Sequence, residues 1–471
     1  LGALGLGLLA HERQRPALQI VTLVLGLVAG VALAWSPLEP GSASDHALHR
    51  TIIALVVVAG LAGAHLAGLA RRLRVEGGWR PPLDRLTVLA RLATEENPAA
   101  RRELFSALEP VWRSIDGNGD THSPWRALNR LHAHALRAAN TTTAAGAAAL
   151  GVNPADVEPW LVAVLDAWRA GNADRELEPW DFYFDAGAME RVLATQLPLV
   201  TLRPLNDRVY QDLGADPAQL GIEYDIAPRP GKDPVAFTDF VVRQRQQPDG
   251  SWAPGKYRVS ASYAVGGAGN LAELLHESGH AVHIAAIRAQ PGLVDWPDSD
   301  TFTEALADLV ALDIYDPAFQ QRYLGAAAPA GDARRAKYAG IVLDTAWALF
   351  ELRMQADPEQ DPNIVWSSIT AQYLRIRPHP EWPWWAMRGQ LVSRPGYMLN
   401  YALGAILIAD LRARTQELFG ARPWSDTEWY AKVSERLFRF GLERPSRQVI
   451  EDYLGRPVSP AALLHDLQGA R

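Results

Sequence analysis

The sequence predicts a mainly α-helical chain with one small antiparallel β-sheet near its middle and membrane-spanning helices at its start. Three observations carry that prediction. Apolar residues recur at helical spacing through most of 83–471, the period shortens to two between Gly221 and Ser262, and two long uncharged apolar runs come first. The 471 residues are enough for a large core, and the net charge of −7 gives no electrostatic case for nucleic acid as a partner. There is no cysteine, which excludes disulfides and thiolate metal sites.

The first run, 17–35 (ALQIVTLVLGLVAGVALAW), has no charge and the length of a membrane span; 51–70 (TIIALVVVAGLAGAHLAGLA) is a second, interrupted only by His65. Arg13 and Arg15 precede the pair and Arg71, Arg72 and Arg74 follow it. The positive-inside rule puts both flanks in the cytoplasm, so a lipid bilayer is an expected partner of residues 1–75 and the rest of the chain is cytoplasmic. The same runs would suit buried helices of a soluble domain, or one of them a signal sequence; basic outer flanks on both favour the hairpin. Only four lysines, against abundant arginine, alanine and glycine, fit a GC-rich bacterial genome and hence the bacterial cytoplasmic membrane. The chain opens at Leu1, as expected of a piece cut from a longer one, and 1–10 would suit the tail of an earlier span.

Gly77, Gly78, Pro81 and Pro82 mark a linker at 76–82. From there to 199 the pattern is amphipathic helix, a helical lobe, and 200–471 forms a second lobe. In the latter, GIEYDI, VAFTDFVV and YRVSASYAV read as strands separated by RPGKDP and QQPDGSWAPGK turns. Gly266 and Gly267 then permit close backbone approach, which makes them candidate substrate-binding residues together with Arg394, and Asn270 is placed to cap the next helix.

That helix contains His276, Glu277 and His280 in H-E-x-x-H. At about 100° per residue the histidines share one face a turn apart, so both imidazoles can reach one Zn²⁺. Glu304, 28 residues after His276, opens E-A-L-A-D on a second helical segment as the expected third ligand. Asp308, one turn on, could accept the other N–H of a ligand histidine. Two imidazoles and a carboxylate leave a fourth position for water, the catalytic rather than the structural zinc pattern. Glu277 would take the water's proton and pass it to a leaving amine. His283 shares the face but lies a turn beyond, which suggests a supporting or substrate-facing role. Tyr397 and Tyr401, a helical turn apart behind Gly396, read by spacing alone as packing residues, although a phenol over the metal could donate to an oxyanion.

HESGHAVH, TEALADLVAL, EPWDFYF (178–184), YDIAPRPGK (224–232), PGYMLNY and LGRPVSPAALLHDL (454–467) resemble segments of the thimet oligopeptidase and oligoendopeptidase F family of gluzincin metallopeptidases, relatives of the angiotensin-converting enzyme family. The resemblance runs from Glu178 to the C-terminus. It implies a helical, two-lobed body around a deep channel, one zinc ion per chain, oligopeptide substrates, and Tyr397 and Tyr401 as substrate and oxyanion tyrosines. One position departs from the family: Val392 stands where a histidine is expected before the first tyrosine.

Two other functions fit the same residues. A carboxypeptidase or peptidyl-dipeptidase would need a cation for the substrate carboxylate, with Lys232, Arg388 and Arg394 as candidates. A catalytically weak, membrane-anchored peptide-binding or regulatory protein would keep the zinc fold without its rate.

Overall fold

A computed structural model of the chain describes residues 85–468, apart from 118–122, 173–174, 234 and 421–423. The expected spans at 17–35 and 51–70 and the linker at 76–82 lie outside the described residues. Within them, no helix is long and apolar enough to cross a membrane.

Helices dominate, and seven of those described have twelve or more residues: α1 Pro124–Ala138, α2 Val157–Gly171, α3 Leu199–Asp212, α4 Ala268–Ala286, α5 Asp300–Ala311, α6 Ala330–Ala356 and α7 Met398–Phe419. Their apolar faces meet in one core whose buried side chains run from Val88 to Leu467. Residues from Asp84 onward form a compact unit, and the expected lobe boundary at 199/200 falls at the start of α3.

The strands are β1 Ile222–Asp225, β2 Phe237–Val242, β3 Arg245–Gln246, β4 Trp252–Ala253 and β5 Lys256–Ser260. The expected antiparallel sheet is corrected here. β5 is the centre of a three-stranded mixed sheet, parallel to β1 and antiparallel to β2, while β3 and β4 form a separate ribbon. Residue alternation is the same in both pairings, so the pattern could not distinguish them. A crossover after β1, through β2, β3 and β4, separates the two parallel strands. Lys232 reaches back from it and its ammonium donates to the carbonyls of Asp225, Ala227 and Ala261, tying the ends of β1 and β5 together.

α4 is buried on almost every side, as its apolar sequence requires. Its N-terminus corrects another expectation: the helix begins at Ala268, and Asn270 is already inside it. The Asn270 amide donates back to the Val265 carbonyl at 2.9 Å, and the exposed helical N–H of Gly269 is taken by Glu190 at 2.9 Å, a carboxylate well placed against the helix dipole. α5 starts conventionally, with Ser299 Oγ accepting from the Phe302 N–H.

α4 and α5 cross with backbones nearly touching. A Cβ added at Gly279 would lie 2.3 Å from the Ala307 carbonyl oxygen, so only glycine allows this approach. The glycine within HESGH is thus a packing requirement. Farther along, Arg412 from α7 secures the end of α5, donating to the Leu309 carbonyl and, at 2.5 Å, to Asp313.

Gly279→Ala should therefore cost about 1–3 kcal/mol by overpacking. A lower melting temperature with weakened metal binding is the expected outcome; a variant that melts with wild type would show that the crossing accommodates a methyl.

Candidate metal centre

The crossing brings together the three residues expected to meet. His276 and His280 project from α4 with ring centroids 4.7 Å apart and planes at 86°. Glu304 reaches them from α5, its carboxylate oxygens 3.3 Å from His276 Nε2 and 3.7 Å from His280 Nε2. One ligand atom of each lies within 4.8 Å of the others. Bonds of about 2.0–2.1 Å at tetrahedral angles put donor atoms about 3.4 Å apart, close to the 3.3 and 3.7 Å from Glu304 to the two imidazoles, so the donor set suits a zinc-sized ion. The histidines are buried or nearly so, whereas half of the Glu304 side chain (49%) is open to solvent, so the set faces outward.

His276 Nδ1 lies 2.7 Å from Asp308 Oδ1, the contact expected from sequence; as donor there it turns Nε2 toward Glu304. Burial disfavours charge on His276, but Asp308 and Glu304 outweigh it and hold its pKa well above the usual range. His280, buried and next to His276, is pushed down to about 3 and stays neutral. Burial would raise Glu304, but the two histidines overcome this and lower it.

Glu277 is 7% exposed, and burial raises its pKa. Thr238 Oγ1, on β2, lies 2.7 Å from Glu277 Oε2 and 2.8 Å from the Glu277 carbonyl oxygen. Sequence reasoning missed Thr238; the available signal was a hydroxyl on the inward-facing alternation of VAFTDFVV. It missed Trp296 as well, whose ring stands edge-on to His280 at 5.6 Å and touches Phe240 and His283.

His283 is corrected. It is 1% exposed and so does not face substrate; it is packed between Phe438 and Trp296, the ring that also meets His280, and is pushed down to about 3 by burial. Gly266 and Gly267 are corrected too. A Cβ on Gly266 would meet the Leu197 carbonyl oxygen at 1.9 Å and one on Gly267 would meet Glu190 at 2.2 Å, while the Gly267 N–H already donates to Leu197. The close approach they permit is to the chain itself.

Tyr397 and Tyr401 stand at the start of α7, rings 5.5 Å apart and nearly perpendicular. α7 lies against α5, with Thr301 Oγ1 donating to Asn400 Oδ1 at 3.2 Å. Burial and the nearby Asp300, Tyr401 and Glu304 raise the Tyr397 pKa. Gln390 Nε2 donates to the Tyr401 hydroxyl at 3.3 Å. Among the candidate cations, Lys232 is taken by the β1 crossover and Arg388 is paired with Asp344, over the rings of Trp347 and Tyr401. Arg394 is 64% exposed, over Tyr397 and 3.8 Å from Asp300. Val392 lies in a short helical turn, 41% exposed. His379 is held between Glu178 and Glu381.

No family model matches the chain, and no curated protein matches it in sequence. Solved structures do match. A 3.1 Å X-ray structure described as an oligoendopeptidase F aligns with a TM-score of 0.58 and 16% identity, over 97% of this chain and 85% of that one. PZ peptidase A, solved with an inhibitor, aligns at 0.56 and 14%, over 96% and 85%. An M32 carboxypeptidase from Deinococcus radiodurans reaches 0.45 at 16% identity over 95% and 98%, too low to argue a common fold. At these identities the likeness to the first two is one of fold.

Two outcomes follow from the centre's electrostatics. Asp308→Ala should weaken metal binding about 10- to 100-fold, read by chelator competition. Because Asp308 and Glu304 favour a proton on His276, which a metal must displace, affinity should rise with pH up to the raised His276 pKa; titration at two pH values checks this.

Proposed function

We propose that this chain is a zinc-dependent peptidase acting on oligopeptides. We further propose that residues 17–35 and 51–70 tether it to the bacterial cytoplasmic membrane, with the catalytic part on the cytoplasmic side. One observation carries the chemistry: two histidines and a glutamate meet at ligand spacing beside a buried glutamate that is not a ligand. The fold shared with oligoendopeptidase F and PZ peptidase A supports peptide substrates.

His276, His280 and Glu304 would hold the ion. Zn²⁺ there supplies Lewis acidity, making water a nucleophile near neutral pH. Glu277 handles the proton. With Oε2 held by Thr238, Oε1 is left to accept a proton from the attacking water and return it to the leaving amine. Its desolvation makes it a stronger base than an exposed carboxylate. Tyr397, kept protonated by its raised pKa, would donate its O–H to the oxygen that becomes negative as the carbonyl turns tetrahedral. β2 is an edge strand beside α4, so an extended peptide can add to it through main-chain hydrogen bonds.

Two observations keep narrower readings in view. Arg394 is the one of the three candidate cations left accessible for a substrate carboxylate, as a carboxypeptidase would need. Val392, in place of a histidine, favours a catalytically weak peptide binder. Hydrolysis of end-blocked against free peptides separates the first, and absolute rate the second.

The test uses the full chain, its zinc content and a quenched peptide library. Glu277→Gln should lower kcat/KM by about 10²–10⁴, and Tyr397→Phe should lower kcat by about 10²–10³. Zinc far below one per chain, or equal activity in wild type and Glu277→Gln, would sink the catalytic reading. A reporter fused after Arg471 should behave as cytoplasmic; a periplasmic result would overturn the orientation.

A further inference from the structure

Glu351 sits in the last third of α6 at 4% exposure, far outside the metal motif. Among the described residues, no basic group forms an ion pair with it. A buried carboxylate without a counter-ion is costly, so its hydrogen bonds carry the explanation for its presence. There are two. Oε1 accepts from the Gly396 N–H at 2.8 Å, and Oε2 from the Met398 N–H at 3.0 Å.

These amides bracket Tyr397, which is the residue just before α7 begins. The carboxylate therefore caps α7 from another helix, accepting from the N–H of its first residue, Met398, near the positive end of its dipole, and from Gly396 just before it. Burial pushes Glu351 up to about 7 and the two amides oppose that shift, as expected where they are its only stabilisers of charge.

The other side of the same loop is equally confined. Gly396 has φ of +86°, and a Cβ there would lie 2.6 Å from Thr143 Cγ2. Thr143 in turn donates to Gln355, one turn after Glu351 on α6. The backbone before Tyr397 is thus held between α6 and Thr143. Its solvent side forms part of the wall of a cavity of about 310 Å³, lined by Tyr397, Arg394, Asn400, His132 and Thr142 among others.

We propose that Glu351 is the positioning residue for Tyr397: by clamping the amides on either side, it sets the phenol relative to the metal ligands and to peptide in the cavity. This rests on the peptidase reading above. Glu351 touches no reacting atom. It acts through two main-chain hydrogen bonds, and an amide in its place can satisfy only one of them while turning an N–H toward the other.

The experiment uses the full chain as Glu351→Gln, alone and combined with Tyr397→Phe. Misplacement on the scale of 1 Å is expected to lower kcat about 100-fold, with zinc content unchanged and amide exchange at 396–398 accelerated. In the Tyr397→Phe background the same change should lower kcat by less than about threefold, because the group it positions is already gone. A merely structural role would multiply through both backgrounds, and that result, or unchanged kcat and exchange, overturns the proposal. Should Glu351→Gln fail to fold, Glu351→Asp, which keeps the charge but withdraws it by one methylene, is read in the same way. Equal activity in wild type and Glu277→Gln would instead remove the peptidase reading, while exchange at 396–398 would still report on the clamp.

Discussion

The site depends on one close contact, the crossing of α4 and α5 at Gly279 and Ala307. Histidines a turn apart can line a helix anywhere, but they become a metal set only when a carboxylate is brought within a bond length or two of both. Glu304 is carried there by the backbone of α5, which could not approach so far past any side chain. Asp308 follows a turn later and meets His276 from the same helix. The remaining architecture serves to hold that crossing: Glu190 at the start of α4, and Arg412 with Asp313 at the end of α5.

Around this contact the carboxylates are separated by environment. Glu304 and Asp308 both lie against His276, and the histidines lower the pKa of Glu304 against its burial. Glu277 is a neighbour in sequence but is turned toward Thr238 and away from water, and burial lifts its pKa. The tyrosines come from α7, whose start is fixed by Glu351. His276, Glu277 and the segment before Tyr397 are thus supported from three directions, each by a contact distant in sequence.

That distance marks the limit of what the sequence reveals. His276, His280, Glu304 and Asp308 were legible because helical periodicity places each pair on one face, and the face is all the argument needs. The same periodicity misled for His283: it reported the face correctly but not the Trp296 and Phe438 that bury it. Asn270 had the right chemistry for a cap, but Glu190, 79 residues before Gly269, supplies the acceptor. Thr238 and Glu351 act across 39 and 45 residues, with no motif to announce them. The sheet's location was readable from alternation, whereas its parallel pair was not, because alternation is the same in both pairings.

His280 and Glu304 are 24 residues apart, and the chain between them leaves α4, passes Trp296 against the His280 ring, and returns as α5. An ion bound by both closes that stretch into a loop. Any state in which the two helices separate must then give up the ion or the freedom that separation would bring, as with a covalent cross-link. Metal occupancy and the integrity of 287–299 would accordingly be a single equilibrium: opening the loop exposes the ion, and losing the ion lets the loop open.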